Sequence, residues 1–328
     1  MKKLLSLLLL LALTLCFFVS CKDDASTPDN TQGTPDASTP DTTVARIGYL
    51  PGTTALGMAK MVSDADSAYN YTKYNGATYI ATALMNGEID IAAYPTNGVP
   101  TLSSKVTGGV QYLAINTLGV LYLCTNGVTI NSLSDLAGKT VYVPEQSPKM
   151  ILEYILEKKG IENVTIQMSS LDLLPGQIVS GENGVQIALL PEPKVTVAAN
   201  TAKAQNVTDF AVSSVDLNAA WDEVSDTPLV QGCVVVRTEF AAAHPEVVKR
   251  FLTAYAASIE YIKNPDNLDA AAQIVAATGI LPAAAVAKSA IPRSNLTYLA
   301  GAEMKTAAAG FLAALGIQFP DNGYFLGE

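Results

Sequence analysis

The chain has 328 residues and a formal net charge of −10; 49% of its residues are hydrophobic and 15% charged. That length suits two compact lobes better than a single core. The acidic balance argues against nucleic acid and against polybasic attachment to anionic lipid, which both need a surplus of Lys and Arg. One histidine and four cysteines, with no zinc-like spacing, imply no metal site.

The chain opens with Met1-Lys2-Lys3, an apolar run from Leu4 to Val19, and then Ser20-Cys21. A basic start, an apolar stretch and a small residue before the cut read as a secretory signal. Phe18-Val19-Ser20-Cys21 resembles the lipobox of bacterial lipoproteins. That resemblance implies cleavage before Cys21, lipidation of Cys21 and an extracytoplasmic body anchored to the cell membrane. The run is short for a retained span of ~20 residues. Lys22 to Thr43 is rich in Asp, Ser, Thr, Pro, Asn and Gly. It cannot bury a core and is expected to be a disordered tether, with a coil span of roughly 25 Å. The expected organisation is a signal peptide (1–20), a tether (21–43), lobe I (44–138 and 231–328) and lobe II (139–230).

The folded part begins at Val44. Arg46 to Leu50 reads as a strand ended by Pro51-Gly52, with Thr53 or Thr54 capping a helix through Val62. Tyr69–Tyr74 is a second strand, Thr78–Met85 a helix stopped by Asn86-Gly87, and Ile89–Tyr94 a third strand ended by Pro95. Thr96-Asn97 then cap another helix. The arrangement recurs downstream. Thr140–Val143 is a strand, Gln146–Lys159 a helix opened by Pro148, and Val164–Met168 a strand. Leu171–Ser180 is largely helical, and Val185–Leu190 is a strand ended by Pro191. Two copies of one strand–helix–strand–helix–strand unit predict two similar α/β lobes with mostly parallel sheets. Val230–Arg237 is a returning strand. The Ala-rich helices around Pro245–Asn264, Leu268–Thr278, Ala283–Ser289 and Ala300–Leu315 read as packing that completes the first lobe.

In open α/β sheets ligands bind beyond the carboxyl ends of the strands. The loops there are Gly52-Thr53-Thr54, Tyr94 with Thr96-Asn97, and Asn116-Thr117, which interrupts two apolar runs (Val110–Ile115 and Leu118–Leu123). In the second lobe they are Gln146-Ser147, preceded by Glu145, and Glu192. Helix N-termini offer free N–H groups and partial positive charge, and the hydroxyls add adjustable donors. This equipment fits a small oxyanion. No Arg or Lys sits within these loops, Lys149 being the nearest, which favours a monoanion or a neutral polar solute. Glu145 and Glu192 either face a ligand amine or stabilise their helix starts. Tyr49, Tyr94, Tyr122 and Tyr142 either stack on a planar ligand or pack in the core. Cys124 and Cys233 read as buried thiols, though a disulfide stays open. His244 reads as a turn residue, and Trp221 as hinge-side packing.

Several stretches resemble the nitrate/sulfonate/taurine/thiamine-precursor group of ABC-transporter substrate-binding proteins. They are Arg46–Lys60, Asn86–Ala92, Leu133-Ser134-Asp135-Leu136-Ala137-Gly138-Lys139-Thr140-Val141, and Leu190-Pro191-Glu192-Pro193. Asn183–Gln186 departs from the Val-Asp common there. The resemblance implies a two-lobe periplasmic-binding-protein (type II) fold with two crossover strands. It further implies a monomeric, non-catalytic, cofactor-free receptor that closes on a small organic solute, such as a sulfonate or pyrimidine precursor, and delivers it to an ABC permease. Two alternatives share the fold: an enzyme like those of menaquinone or pyrimidine synthesis, and a sensory solute receptor. A single His and two strand-buried Cys argue against the enzyme.

Overall fold

The computed structural model describes residues 41–144, 146–318 and 325–326, with Gln146 described through its main chain alone. The expected signal peptide, Cys21, most of the tether and Glu145 lie outside the described residues. Eleven strands are described: β1 Ala45–Tyr49, β2 Tyr69–Lys73, β3 Ile91–Pro95, β4 Val110–Leu118, β5 Leu121–Asn126, β6 Thr140–Val143, β7 Thr165–Met168, β8 Ile187–Pro191, β9 Phe210–Val212, β10 Val230–Arg237 and β11 Leu296–Leu299. They form one sheet ordered β11-β4-β10-β3-β1-β2 and another ordered β7-β6-β8-β5-β9.

The repeated unit is present in both sheets. β3-β1-β2 and β8-β6-β7 are the same parallel triplet, and each is extended by an antiparallel neighbour, β10 beside β3 and β5 beside β8. β3 and β8 are each five residues ending in proline, which stops the ladder where its N–H is needed. The sheets are mixed rather than mostly parallel, because the flanking strands β10, β4 and β11 in one and β5 in the other run antiparallel to their neighbours. β9 and β11 were not foreseen: β9 is only three residues long, and β11 lies among the Ala-rich helices of the C-terminal region.

Strands β1, β3 and β10 are apolar nearly throughout because helices cover both faces. On one face Val248, Phe251, Tyr255 and Ile259 of helix Pro245–Lys263 recur at three- and four-residue spacing and pack with Ile47, Tyr49 and Ile91. On the other, Ile80, Leu84 and Phe311 join Ala92, Ile115 and Val235. At the amino ends of the strands Asp90 is buried, and it takes both Nη2 (2.5 Å) and Nε (2.9 Å) of Arg46. That two-pronged pair ties β3 to β1. The last tether residues are docked, contrary to the expectation of disorder: Arg250 donates to the carbonyls of Asp41 and Thr43, and the Asp41 carboxylate meets His244 at 2.8 Å.

The first crossover between the sheets is Gly119-Val120, between β4 and β5. The interruption expected at Asn116-Thr117 lies inside β4 instead, and Leu121–Asn126, assigned to lobe I from sequence, pairs in the second sheet. Val120 is held from both sides. Its N–H donates to Gln231 Oε1 of β10 at 2.7 Å, and its carbonyl accepts from the Glu192 N–H at 2.9 Å. The second crossover runs from β9 to β10 and carries Trp221. Its ring is fully buried, 4.9 Å from Tyr154 of the second lobe and 5.7 Å from Phe311 of the first. Its Nε1–H donates to the Thr227 carbonyl at 2.7 Å.

Trp221→Ala should lower stability by about 3–5 kcal/mol through loss of contacts and a cavity. In a thermal melt that is a fall of roughly 6–15 °C for a body of this size. A fall under about 2 °C would mean that the ring does not join the lobes.

Candidate functional site

The expected loops of the first lobe converge on one rim. β3, β10 and β4 lie side by side there, with Gly232 of β10 opposite both Pro95 and Thr117. Gly52 turns the chain out of β1 at φ +130°, a conformation that favours glycine, and donates its N–H to the Ile280 carbonyl at 3.0 Å. Thr53 and Thr54 begin a one-turn helix, Thr53–Leu56, capped by Gly52 and not by a threonine side chain. Thr96-Asn97 likewise open a short 3-10 turn with no side-chain cap. The anticipated capping roles are therefore not made: Gly52 and Pro95, which have no side-chain acceptor, stand at the cap positions.

Asn116 and Thr117 are fully buried and committed inward. Asn116 Nδ2 donates to the Thr54 carbonyl (3.0 Å) and to the Tyr255 hydroxyl (2.8 Å). Its Oδ1 accepts from the Thr117 hydroxyl (2.8 Å). These two residues shape the rim by fixing the Thr53-Thr54 backbone. A Cβ on Gly232 would sit 2.5 Å from Asn116 Oδ1, so glycine is what lets β10 pass. Thr96 is buried; its carbonyl accepts from the Tyr112 hydroxyl at 2.8 Å, while its own hydroxyl, beside the Cys233 thiol, meets no hydrogen-bond geometry among the described residues. Thr54, Tyr94 and Asn97 are half-buried, and their side chains make no hydrogen bond among the described residues.

In the second lobe, Ser147 is half-buried in the first turn of helix Gln146–Lys158, again without a side-chain partner among the described residues. Glu192 directly follows β8, and its side chain is fully buried. One carboxylate oxygen takes the Thr196 hydroxyl at 3.0 Å, across the first turn of helix Lys194–Ala204. The same oxygen takes Arg293 Nε, also at 3.0 Å, while Oε2 has no partner among the described residues. Arg293 comes from the segment preceding β11, in the first lobe. Its guanidinium lies 4.2 Å over the Tyr122 ring of β5, and its carbonyl accepts the Tyr122 hydroxyl at 2.7 Å. One arginine of the first lobe thus grips two residues of the second. Two residues on, Asn295 accepts the Leu118 N–H (3.1 Å) and donates to the Gly119 carbonyl (2.5 Å), at the crossover.

The NMT1/THI5-like family profile matches residues 70–268, more than half of the chain. The chain belongs to the NMT1/THI5-like family. No curated protein sequence matches it. Among solved structures it is similar to an ABC transporter protein of Parabacteroides distasonis, at 20% identity and TM-score 0.69, over 86% of this chain and 98% of that one. It is similar to the periplasmic aliphatic sulphonate-binding protein of Escherichia coli, at 15% identity and TM-score 0.63, over 84% and 88%. It is also similar to the ligand-binding component of an ABC-type import system from Staphylococcus aureus, at 16% identity and TM-score 0.60, over 83% and 91%. The two-lobe type II fold expected from sequence is the fold found.

Of the tyrosines singled out, Tyr49 is buried with its hydroxyl on the Thr278 carbonyl (3.3 Å), and Tyr122 lies under Arg293. Tyr94 and Tyr142 stay half-buried. Cys124 and Cys233 are buried free thiols, and burial pushes the Cys124 thiol up to about 12. Arg293 was missed because it follows an Ala-rich helix, 101 positions beyond Glu192 in the chain. No Arg or Lys sits within the loops themselves, but Arg293 reaches Glu192 from outside them. Its one sequence signal is Pro292-Arg293 breaking the alanine pattern.

Burial raises the Glu192 carboxyl above its ordinary value, against the opposing pull of Thr196 and Arg293. The folded chain therefore holds this proton more tightly than the unfolded chain. Glu192 accordingly removes stability as pH rises from 4.5 through its higher folded value. Glu192→Gln should abolish that loss. The melting temperature of the variant minus that of the wild type, both without solute, should be more positive at about pH 7 than at about pH 4. A constant difference would contradict a strained carboxylate.

Proposed function

We propose that this NMT1/THI5-like chain is the solute-binding component of an ABC importer. It would be held outside the cell membrane through lipidated Cys21 and close its lobes on a small organic solute. The observation that carries this reading is a set of unspent polar groups. Thr54 and Asn97 in one lobe and Ser147 in the other carry side chains with no partner among the described residues, each just beyond the carboxyl end of a strand. Half-buried hydroxyl and amide groups of this kind bond water and can exchange it for a solute. Equivalent ends of two parallel triplets are where a hinged α/β clamp takes its ligand.

The mechanism is differential affinity. A solute that touches both lobes binds the closed arrangement better and shifts the hinge equilibrium toward it. Gly119-Val120 and the Trp221 segment are the hinge, and the Arg293–Glu192 pair adds a bond that exists only while the lobes are together. The permease would then read the closed shape. A small organic monoanion, such as a sulfonate or carboxylate, fits best. Helix Gln146–Lys158 presents N–H groups and a positive dipole end at Ser147. The E. coli neighbour is named for aliphatic sulphonates, which supports including that class among the first solutes tried.

The reading is tested by thermal melts of the body from residue 41 onward with a panel of sulfonates, carboxylates and pyrimidines. A solute at ~1,000 times its dissociation constant stabilises by about 4 kcal/mol. The triple variant Thr54→Ala, Asn97→Ala, Ser147→Ala should lose affinity for the solute so found by about tenfold or more, the worth of one to three hydrogen bonds. Its solute-free melting temperature should stay within about 2 °C of wild type, because these side chains bond nothing. Unchanged affinity would move the site elsewhere.

A further inference from the structure

Phe325 and Leu326 return to the edge of the first sheet. β11 covers β4 only at Ile115 and Thr117. Nearer the amino end of β4 the edge is met by Phe325, which bridges Tyr112 in parallel, and the Leu326 N–H donates to the Tyr112 carbonyl at 3.1 Å. Successive residues of an extended chain face opposite ways. Phe325 accordingly joins the apolar cluster on one face of the sheet, with Met304 and Phe311, and Leu326 joins the cluster on the other, with Tyr298.

Phe325 is 4% exposed, and its ring stacks on that of Tyr112, 5.2 Å between centres and 16° between planes. Lys305 of helix Gly301–Ala314 lies 5.9 Å from the centre of the same ring. Tyr112 is fully buried, and its hydroxyl donates to the Thr96 carbonyl at 2.8 Å. That carbonyl also accepts the Val99 N–H, which closes the 3-10 turn Thr96–Gly98. The turn carries Asn97. A three-residue turn without a side-chain cap has little of its own to fix its shape. The Tyr112 hydroxyl on its closing carbonyl is therefore a main restraint on where Asn97 stands.

We propose that Phe325 is a positioning residue for the solute site, a role that rests on the receptor reading in which Asn97 meets solute. Its ring presses Tyr112 into place, and the Tyr112 hydroxyl sets the turn that presents Asn97. Sequence patterning gives no sign of this, since Phe325 and Thr96 are distant in the chain and joined only through Tyr112.

Hydrogen exchange at the Val99 amide reads the turn without any solute. Phe325→Ala should speed it by about fivefold or more, through local opening. Tyr112→Phe, which removes the hydroxyl and keeps the ring, should do the same, and the double variant should do no more than either. Exchange in β2, at the far edge of the same sheet, should stay within about twofold of wild type. Equal acceleration in β2 would mean a general loss of stability and would overturn the proposal, as would an unchanged Val99 amide. Affinity is read by titrating wild type and variants with a sulfonate, carboxylate or pyrimidine of the panel that raises the wild-type melting temperature. Phe325→Ala should weaken that affinity by about 2- to 10-fold, and should weaken it no further in an Asn97→Ala background. Faster exchange with unchanged affinity would make Phe325 a structural plug and overturn its positioning role. A panel in which nothing binds would overturn the receptor reading and this role with it, while Val99 exchange would still report the hold of Phe325 and Tyr112 on the turn.

Discussion

A carboxylate stripped of water must be answered by a partner, and at the end of β8 the partner comes from the other lobe. Glu192 is fully buried, and the only cation the structure brings to it among the described residues is Arg293. A buried carboxylate left alone costs several kcal/mol. The second lobe's rim is therefore comfortable only while the first lobe is against it. Arg293 keeps a third of its side chain exposed, so water screens its attraction. That is why burial still wins and the carboxyl stays raised. Tyr122 completes the grip by offering its ring face to the guanidinium.

This clasp sits where the rest of the architecture converges. The prolines that end β3 and β8 stop each parallel triplet at the corresponding place in its own sheet. Val120 is bonded to β10 by its N–H and to Glu192 by its carbonyl, which makes the first crossover a short tether between the same two rims. Trp221 fills the other side of the hinge with aromatic contacts to both lobes. A charge pair on one side and an apolar joint on the other differ in their response to opening. The charge pair breaks within a short separation, while the apolar joint tolerates small rotation.

Much of the scaffold was legible because its signals are local. Proline after Tyr94 and after Leu190, Asn86-Gly87 after a helix, and the matching spacing of the two units gave strands, helices and the repeat. Short strands such as Phe210–Val212 escaped, since three residues carry no period. The crossover at Gly119-Val120 escaped because β4 and β5 together look like one apolar run broken by polar residues, and Asn116-Thr117 is the more visible break. In truth that pair is buried and serves the Thr53-Thr54 turn. The placing of Thr54, Asn97 and Ser147 just beyond the ends of β1, β3 and β6 followed from topology. Arg293 did not, because a contact across 101 positions has no sequence period to announce it.

The central claim is that Arg293 and Glu192 hold the lobes together at the cleft and that solute adds to this hold. Spin labels at exposed positions, Thr101→Cys in the first lobe and Glu153→Cys in the second, would measure the interlobe distance directly, since Cys124 and Cys233 are buried. The account predicts a broader and longer distance distribution when Arg293→Ala is added. It also predicts a narrower and shorter one when solute binds the otherwise unchanged protein. Distributions indifferent to both Arg293 and solute would contradict it.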